Sequence, residues 1–353
     1  MNAPLALQET VRQADLTDQL EVQRIEAFVA ELSGTAFHRP SWLRAIETGT
    51  GQNALGLVTE RTGAITGWLP LSDIHSPLFG RALVSSGFGV GGGVLCADEG
   101  SVAPLCAAAV ELAQRHGATS IELRSELAVE DWQFVEGKHA GFEAGLAGDD
   151  EAQLLAIPRK ARAEVRKGLK NNLEITTGRS PKDLAAHYAC YSESVRNLGT
   201  PVFPKSLFAA VIEEFGDDAD ILTVSHQGMP IASVLSLYHE GSVMPYWGGG
   251  GLAARSLRAN ERMYYELMCH ARRRGCVKFD FGRSKLGSGP YSFKKNWGFE
   301  PQPLTYRTWA ASSQKARNID PTDEGYSAKI KLWKKLPLPV ANLIGPWIAR
   351  GLG

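Results

Sequence analysis

The residues best suited to chemistry lie late in the chain. The segment Gly282-Arg283-Ser284-Lys285-Leu286-Gly287-Ser288-Gly289-Pro290 mixes glycines with basic and hydroxyl side chains. A loop of this kind brings backbone amides close to a ligand's oxyanions. Asp280 stands two residues before it. Tyr291-Ser292-Phe293-Lys294-Lys295-Asn296-Trp297-Gly298-Phe299 follows, read as a strand or bulge carrying two lysines and three aromatics. A second basic segment, Pro158 to Lys170, holds Arg159, Lys160, Arg162, Arg166, Lys167 and Lys170 against the single acid Glu164. At helical spacing Arg159, Arg162 and Arg166 share one face. That face is either a solvated helix surface or a clamp for phosphate or carboxylate, which the planar guanidinium grips with two parallel hydrogen bonds.

Other chemistries lack their residues. There is no Gly-x-Ser-x-Gly elbow and no His-x-x-x-His pair among the eight histidines, which disfavours a serine hydrolase or a zinc hydrolase and predicts no metal site. Ser288 stands where a P-loop needs its lysine, and Gly87-x-Gly89-x-x-Gly92 is not followed by a helix signal. The five cysteines form no Cys-x-x-Cys pair and suit a reducing, cytoplasmic compartment. Cys269 and Cys276 read as core thiols.

The elements that must position these residues come in two copies. Gly91-Gly92-Gly93 matches Gly249-Gly250-Gly251, and Arg115 to Leu123 matches Arg273 to Phe281, both at an offset of 158 residues. Upstream, Leu57 to Leu71 pairs with Leu222 to Leu237, each a hairpin turning at Gly63 or Gly228. Each copy predicts a hairpin, a strand entering a glycine-rich turn, a helix over about 102–116 or 260–274 closed by a glycine, and a short strand with an acid in it. Asn260 reads as an N-cap. The order of elements in each copy resembles the acyltransferase fold of the GNAT superfamily, and the resemblance implies an α/β (α+β) architecture with tandem duplicated GNAT-like domains at 1–150 and 181–311. A basic helical linker occupies 151–180 and a basic tail 312–353.

Length supports two domains, and 44% apolar with 22% charged residues is ordinary globular composition. The net charge of zero hides an uneven distribution. Segments 158–170, 270–298 and 325–353 hold 19 of 38 basic residues and 2 of 38 acids, whereas residues 1–150 hold 9 and 20. This excludes general or sequence-specific nucleic-acid coating but allows one basic cleft and one basic tail. The tail carries Lys329, Lys331, Lys334, Lys335 and Arg350 among Trp and Leu residues. It either packs on its domain or lies on an anionic membrane surface. Leu336 to Ala349 contains three prolines and is not a straight spanning helix, and no amino-terminal signal peptide is evident.

With its double GNAT-like pattern, its basic linking helix and Gly287-Ser288-Gly289-Pro290-Tyr291-Ser292-Phe293-Lys294-Lys295-Asn296-Trp297-Gly298, the chain resembles the FemAB family. Tyr188 to Phe203 and Phe279 to Pro301 look most like the FemAB-like branch associated with exosortase and PEP-CTERM loci. The resemblance implies an acyl or aminoacyl transferase acting on cell-envelope or exopolysaccharide precursors, with Lys294 and Arg166 binding the acceptor's phosphates or the transition state. It implies an activated acyl donor, aminoacyl-tRNA or acyl-CoA, as cosubstrate and no bound cofactor. The Gln/Arg-x-x-Gly-x-Gly/Ala pyrophosphate loop of coenzyme A-dependent GNAT enzymes is missing before either helix.

Such transfer needs no protein nucleophile when donor and acceptor are held together. Lys294 is expected to stabilise the oxyanion or an acceptor phosphate, and Asp280 to act as acid–base or as a structural partner of a nearby cation. Arg162, Arg166 and Arg283 are expected to hold a diphosphate. Ser284, Tyr291, Phe293 and Lys295 complete the expected substrate contacts, and Tyr246 and Trp247 wall the cleft. Two other readings stay open: a non-catalytic scaffold of an envelope-assembly system, and a coenzyme A-dependent N-acetyltransferase. The expected partner is a phosphate-bearing, lipid-linked precursor, met in the cytoplasm or at the inner membrane.

Overall fold

The computed structural model describes residues 9–311 and 324–353. The chain forms two compact units. The first comprises residues 9–136, 305–311 and 350–353, the second 137–304 and 324–349. The division thus falls after residue 136 rather than 150, and the expected linker 151–180 belongs wholly to the second unit.

In the first unit β1 (Thr10–Gln13) leads to α1 (Gln19–Glu31) and α2 (Pro40–Thr50). The strands β2 (Asn53–Arg61), β3 (Ala64–Ser76), β4 (Gly80–Ser85) and β5 (Leu95–Cys96) follow, then α3 (Val102–His116) and β6 (Ser120–Leu123). The order β1-β2-β3-β4-β6 is antiparallel until the final β4–β6 pair, which is parallel because α3 crosses between them. Strand β7 (Gln133–Gly145) carries the chain into the second unit.

There the chain forms α4 (Asp150–Ala156), α5 (Arg159–Lys170), β8 (Glu174–Gly178), α6 (Pro181–Leu198) and α7 (Lys205–Phe215). Next come β9 (Ala219–His226), β10 (Met229–His239), β11 (Ser242–Gly250), α8 (Leu252–Leu257), α9 (Ala259–Arg273) and β12 (Lys278–Asp280). The order β8-β9-β10-β11-β12 repeats the first unit, including its parallel last pair, and β7 then pairs antiparallel with β12. The chain closes with β13 (Ser284–Lys285), α10 (Gly289–Asn296), β14 (Pro301–Ala310), α11 (Glu324–Trp333) and α12 (Leu338–Ala349). The second half of β14 completes the first unit by pairing with β6.

Local chemistry accounts for the repeat. Both hairpins turn on two left-handed residues, Thr62-Gly63 (φ 53° and 81°) and Gln227-Gly228 (φ 52° and 75°). Positive φ at both central residues matches the right-handed twist of the flanking strands. α3 stops at Gly117, left-handed at φ 66°. The α9 turn closes at Gly275, φ 86°. In each unit the crossover helix packs its apolar face on the sheet. Leu105, Ala109 and Leu112 lie against Leu69 and Ile121 in the first, and Met263, Leu267 and Ala271 against Val234 and Phe279 in the second. Each such fully buried large side chain contributes roughly 1.5–3 kcal/mol.

Two local expectations are corrected. Residues 291–299 are not a strand: Ser288 caps the helix α10 by accepting from Tyr291 N at 3.3 Å, Pro290 suits its first turn, and Gly298 (φ 89°) ends it. Phe293 and Trp297 stand one helical turn apart, and that spacing, not alternation, faces the core. Asn260 is not an N-cap, because α9 begins at Ala259 after a left-handed Arg258. The tail beyond residue 323 is two helices, and 312–323 lie outside the described residues. No helix among the described residues is long and apolar enough to cross a membrane.

Candidate active site

The second unit's β12 strand ends on Asp280, and the chain then folds back on itself. Asp280 Oδ1 accepts from Gly282 N at 2.7 Å, and Gly282 is left-handed at φ 64°. α10 returns Lys294 to this turn. Its ammonium donates to three consecutive backbone carbonyls: Phe281 O at 2.6 Å, Gly282 O at 3.2 Å and Arg283 O at 3.0 Å. Below it lie the faces of Phe142 (5.3 Å) and Phe281 (5.8 Å).

Lys294 and Asp280 are thus one electrostatic unit. Burial pushes the Lys294 amine down to about 8, opposed by the charge of Asp280. Burial likewise holds the Asp280 carboxyl above its usual range, against the Gly282 amide. Glu143 raises it further, while Lys294 and Lys278 pull it down. A base and an acid both perturbed by burial at one turn make it a candidate functional site. Yet the three hydrogens of Lys294 are already spent on carbonyls. The side chain positions the 281–283 turn, where the sequence suggested direct contact with an oxyanion.

The remaining expected residues separate into three groups. Tyr291 and Phe293 anchor α10. Tyr291 meets Phe142 edge-on at 5.3 Å, and Phe293 packs on Tyr264 and Trp297 at 5.7 Å each. Lys295 is exposed, with its amine 6.0 Å from the Tyr291 ring centre. Ser284 is buried in β13 opposite Ala140, and its hydroxyl has no hydrogen-bond partner. Arg283 is half-buried in the turn itself.

The second group is α5. Arg159, Arg162, Arg166, Lys167 and Lys170 line one cavity of about 310 Å³. Helical spacing puts them on one side because Ala161, Val165 and Gly168 are buried on the other. Gly168 lets the helix approach α9 closely, since a Cβ there would lie 2.8 Å from Arg258 O. Glu164 pairs with Arg258 and with Lys167, each at 2.6 Å. At its start, α5 rests on the site helix: a Cβ on Gly298 would meet Pro158 at 3.0 Å. Arg283 does not line this cavity, so the three expected arginines do not converge on one pocket.

The third group is corrected outright. Trp247 walls no cleft; it is buried against Phe208 at 5.1 Å, in a cluster with Tyr191 and His187. Tyr246 packs edge-on against Trp247 at 4.7 Å. The β11 strand carries a bulge opposite Leu235/Ser236, where Tyr246 and Trp247 leave the regular alternation of a strand. In the first unit Trp42 is likewise a core residue, fully buried and donating to Gly87 O at 3.0 Å.

Sequence reasoning missed Glu193 of α6. Its Oε1 accepts from Leu252 N at 3.0 Å, at the turn between β11 and the crossover helix. A Cβ on Gly251 would lie 2.4 Å from Oε2. A carboxylate therefore fills the turn where a coenzyme A-dependent enzyme of this fold needs its phosphate-binding amides. Nothing in the local sequence near 250 signals it, because Glu193 is 59 residues away.

With this geometry in view, comparison with known proteins defines the class. Residues 159–295 match the family model of the acetyltransferase (GNAT) domain. Solved structures of similar fold include FemX, at 16% identity over 80% of this chain and 95% of that one, with a TM-score of 0.63. A tandem GNAT protein from the clavulanic acid biosynthesis pathway shows 15% identity over 87% and 100%, with a TM-score of 0.54. L-PGS from Bacillus licheniformis shows 15% identity over 92% and 96%, with a TM-score of 0.52. No curated protein matches the sequence. The fold is tandem GNAT-like, and residues 159–295 of its second unit are similar to the acetyltransferase (GNAT) domain.

Proposed function

We propose that this chain transfers an acyl or aminoacyl group from an activated ester to an amine or hydroxyl on a phosphate-bearing cell-envelope or exopolysaccharide precursor. The observation that carries the proposal is the displacement of positive charge. Within the acyltransferase domain the crossover turn is occupied by Glu193, while the basic cavity stands on α5. An acceptor's diphosphate fits Arg162 and Arg166 there, by bidentate hydrogen bonds. The same observation ranks aminoacyl-tRNA above acyl-CoA as donor, since a carboxylate at the turn repels a pyrophosphate. The exosortase-associated branch rests on the residues of 188–203 and 279–301 alone.

In the proposed reaction the acceptor nitrogen or oxygen attacks the donor's carbonyl carbon. The new C–N or C–O bond forms as the ester C–O bond breaks. The acceptor's proton passes to Asp280 and from there to the leaving hydroxyl. A carboxylate raised toward neutrality by burial is better matched to that exchange than an ordinary one. Lys294 holds the turn that presents Asp280 and Arg283, and alignment of the two substrates supplies the rest of the acceleration.

Intact-mass analysis of envelope precursors incubated with the protein and either aminoacyl-tRNA or acyl-CoA tests this. The expected result is a mass gain of one acyl or aminoacyl group, dependent on Asp280. A gain from acyl-CoA alone transfers the assignment to an N-acetyltransferase. No gain with any donor, together with stable binding of the precursor, makes the chain a scaffold.

A further inference from the structure

We propose that the α11–α12 hairpin docks the second unit on an anionic lipid bilayer, with α12 lying in the plane of the interface. The proposal does not depend on which reaction the acyl-transfer site performs.

α12 is amphipathic in the inverse sense to a helix of a globular core. Its buried residues are the small ones, Ala341, Gly345 and Ala349, spaced every four positions along one face. Gly345 is seated so closely that a Cβ would lie 3.1 Å from Val202 N. Asn342 Nδ2 donates to Ser192 Oγ on α6 at 3.2 Å. The large apolar side chains point the other way: Val340, Leu343, Ile344 and Trp347 are 42%, 79%, 38% and 49% exposed. Positions 340, 344 and 347 share one side of the helix, with 343 beside them. Leu332, near the end of α11, is 66% exposed. A soluble surface rarely concentrates such residues on a single helix without something to cover them.

Charge decides what covers them. Lys331 at the end of α11 and Lys334 and Lys335 in the turn leading to α12 are exposed, and residues 325–353 contain no acid. A protein groove selective for this face needs matching carboxylates, whereas an anionic bilayer presents them everywhere as phosphates over hydrocarbon. Large apolar residues with Trp, flanked by lysine, are the composition of interfacial helices. Twelve residues span about 18 Å, short of a bilayer core of about 30 Å, so the helix lies flat.

The test is sedimentation of the full chain with phosphatidylcholine vesicles, with and without phosphatidylglycerol. The expected result is binding to the phosphatidylglycerol vesicles that weakens as salt rises, and at least tenfold weaker binding to phosphatidylcholine alone. Leu343→Asp with Ile344→Asp should weaken binding at least tenfold. Each of Lys331→Gln, Lys334→Gln and Lys335→Gln should cost about fivefold, on anionic vesicles only. The substituted side chains are exposed, so far-UV circular dichroism should not change. If the double variant fails to fold, Trp347→Ser serves with the same readout. Absence of sedimentation with both vesicle types, or sedimentation indifferent to these substitutions, overturns the proposal. So does a concentration-dependent dimer that the Leu343 variant abolishes, which assigns the face to a second copy of the chain.

Discussion

The two units run the same order of strands and helices, yet treat one equivalent position in opposite ways. In the first, β6 carries Glu122 where β12 carries Asp280, at the same 158-residue offset as the rest of the repeat. Glu122 is paired two residues on with Arg124, whose Nε lies 3.1 Å from its carboxylate. The Arg124 guanidinium is buried and donates to Gly89 O at 2.6 Å and Ser86 O at 3.3 Å. The cation that ties down the neighbouring loop thus comes from the strand itself, and the acid beside it is neutralised. In the second unit the cation comes from α10, an element with no counterpart between β6 and β7. Its carbonyl partners belong to the turn, Asp280 has no direct salt bridge among the described residues, and burial holds its carboxyl above the usual range. One copy has become a closed structural lock. The other has kept an ionisable acid at a held turn.

This contrast can be broken most strongly at the two acids. Asp280→Asn should lower kcat by about 10²–10⁴-fold with KM little changed, whereas Glu122→Gln should change it less than twofold. Steady-state transfer kinetics would reverse the assignment of the two units if Glu122 proved the sensitive one. The converse holds for stability. Arg124→Met leaves Gly89 O and Ser86 O without their donor and Glu122 without its partner, and should cost about 3 kcal/mol in urea unfolding.

Lys294 sharpens the comparison through pH. Its amine is protonated below about pH 8 and neutral above, and a neutral amine has two hydrogens for three carbonyls. Activity should therefore fall as pH rises through 8. Stability should move the other way. The unfolded chain keeps this proton up to the ordinary lysine range near 10.4, so it binds more protons than the folded chain between pH 8 and 10. Relative to Lys294→Met, the wild type should gain about 2 kcal/mol across that interval. A flat difference in denaturant midpoints would remove the depressed amine from the argument.

Smaller effects are expected on α5. Arg162→Ala and Arg166→Ala should each raise KM for a diphosphate-bearing acceptor about tenfold, with kcat within twofold, in keeping with loss of one charge-assisted hydrogen bond. Arg115→Ala, at the end of α3 in the first unit, should leave KM unchanged. The smallest expected effect is at Gly298. Alanine there must adopt φ 89° against Pro158, costing about 1–2 kcal/mol of stability.

Much of the fold was legible because its signals are local. The two hairpin turns, the glycine-terminated helices at 116 and 274 and the basic helix at 159–170 all depend on residues within a few positions of one another. The buried cysteines at 269 and 276 could also be read from their apolar neighbourhoods. The site was legible only in part. Asp280, Lys294 and the α5 arginines stood out as candidates, since charge and glycine content are visible in any strand-and-turn context. The roles of Trp247 and Lys294 were not. Trp247 looks the same in sequence whether it faces a cleft or Phe208. Residues 291–299 satisfy a short strand pattern as well as a helical one until Ser288 is seen to cap them.

The sequence by itself determined the duplication, the repeated order of hairpin, crossover helix and strand, and the segregation of positive charge into three segments, because these follow from spacing and composition along the chain. Only the tertiary structure decided what those charges do. It spent the Lys294 ammonium on three carbonyls of a turn eleven to thirteen residues away. It also brought Glu193 to the amide of Leu252, and turned α12 with its small residues inward. Each outcome is set by burial and by hydrogen-bond partners distant in sequence. A desolvated charge takes whichever partner the packing brings within reach, and sequence spacing does not encode that distance.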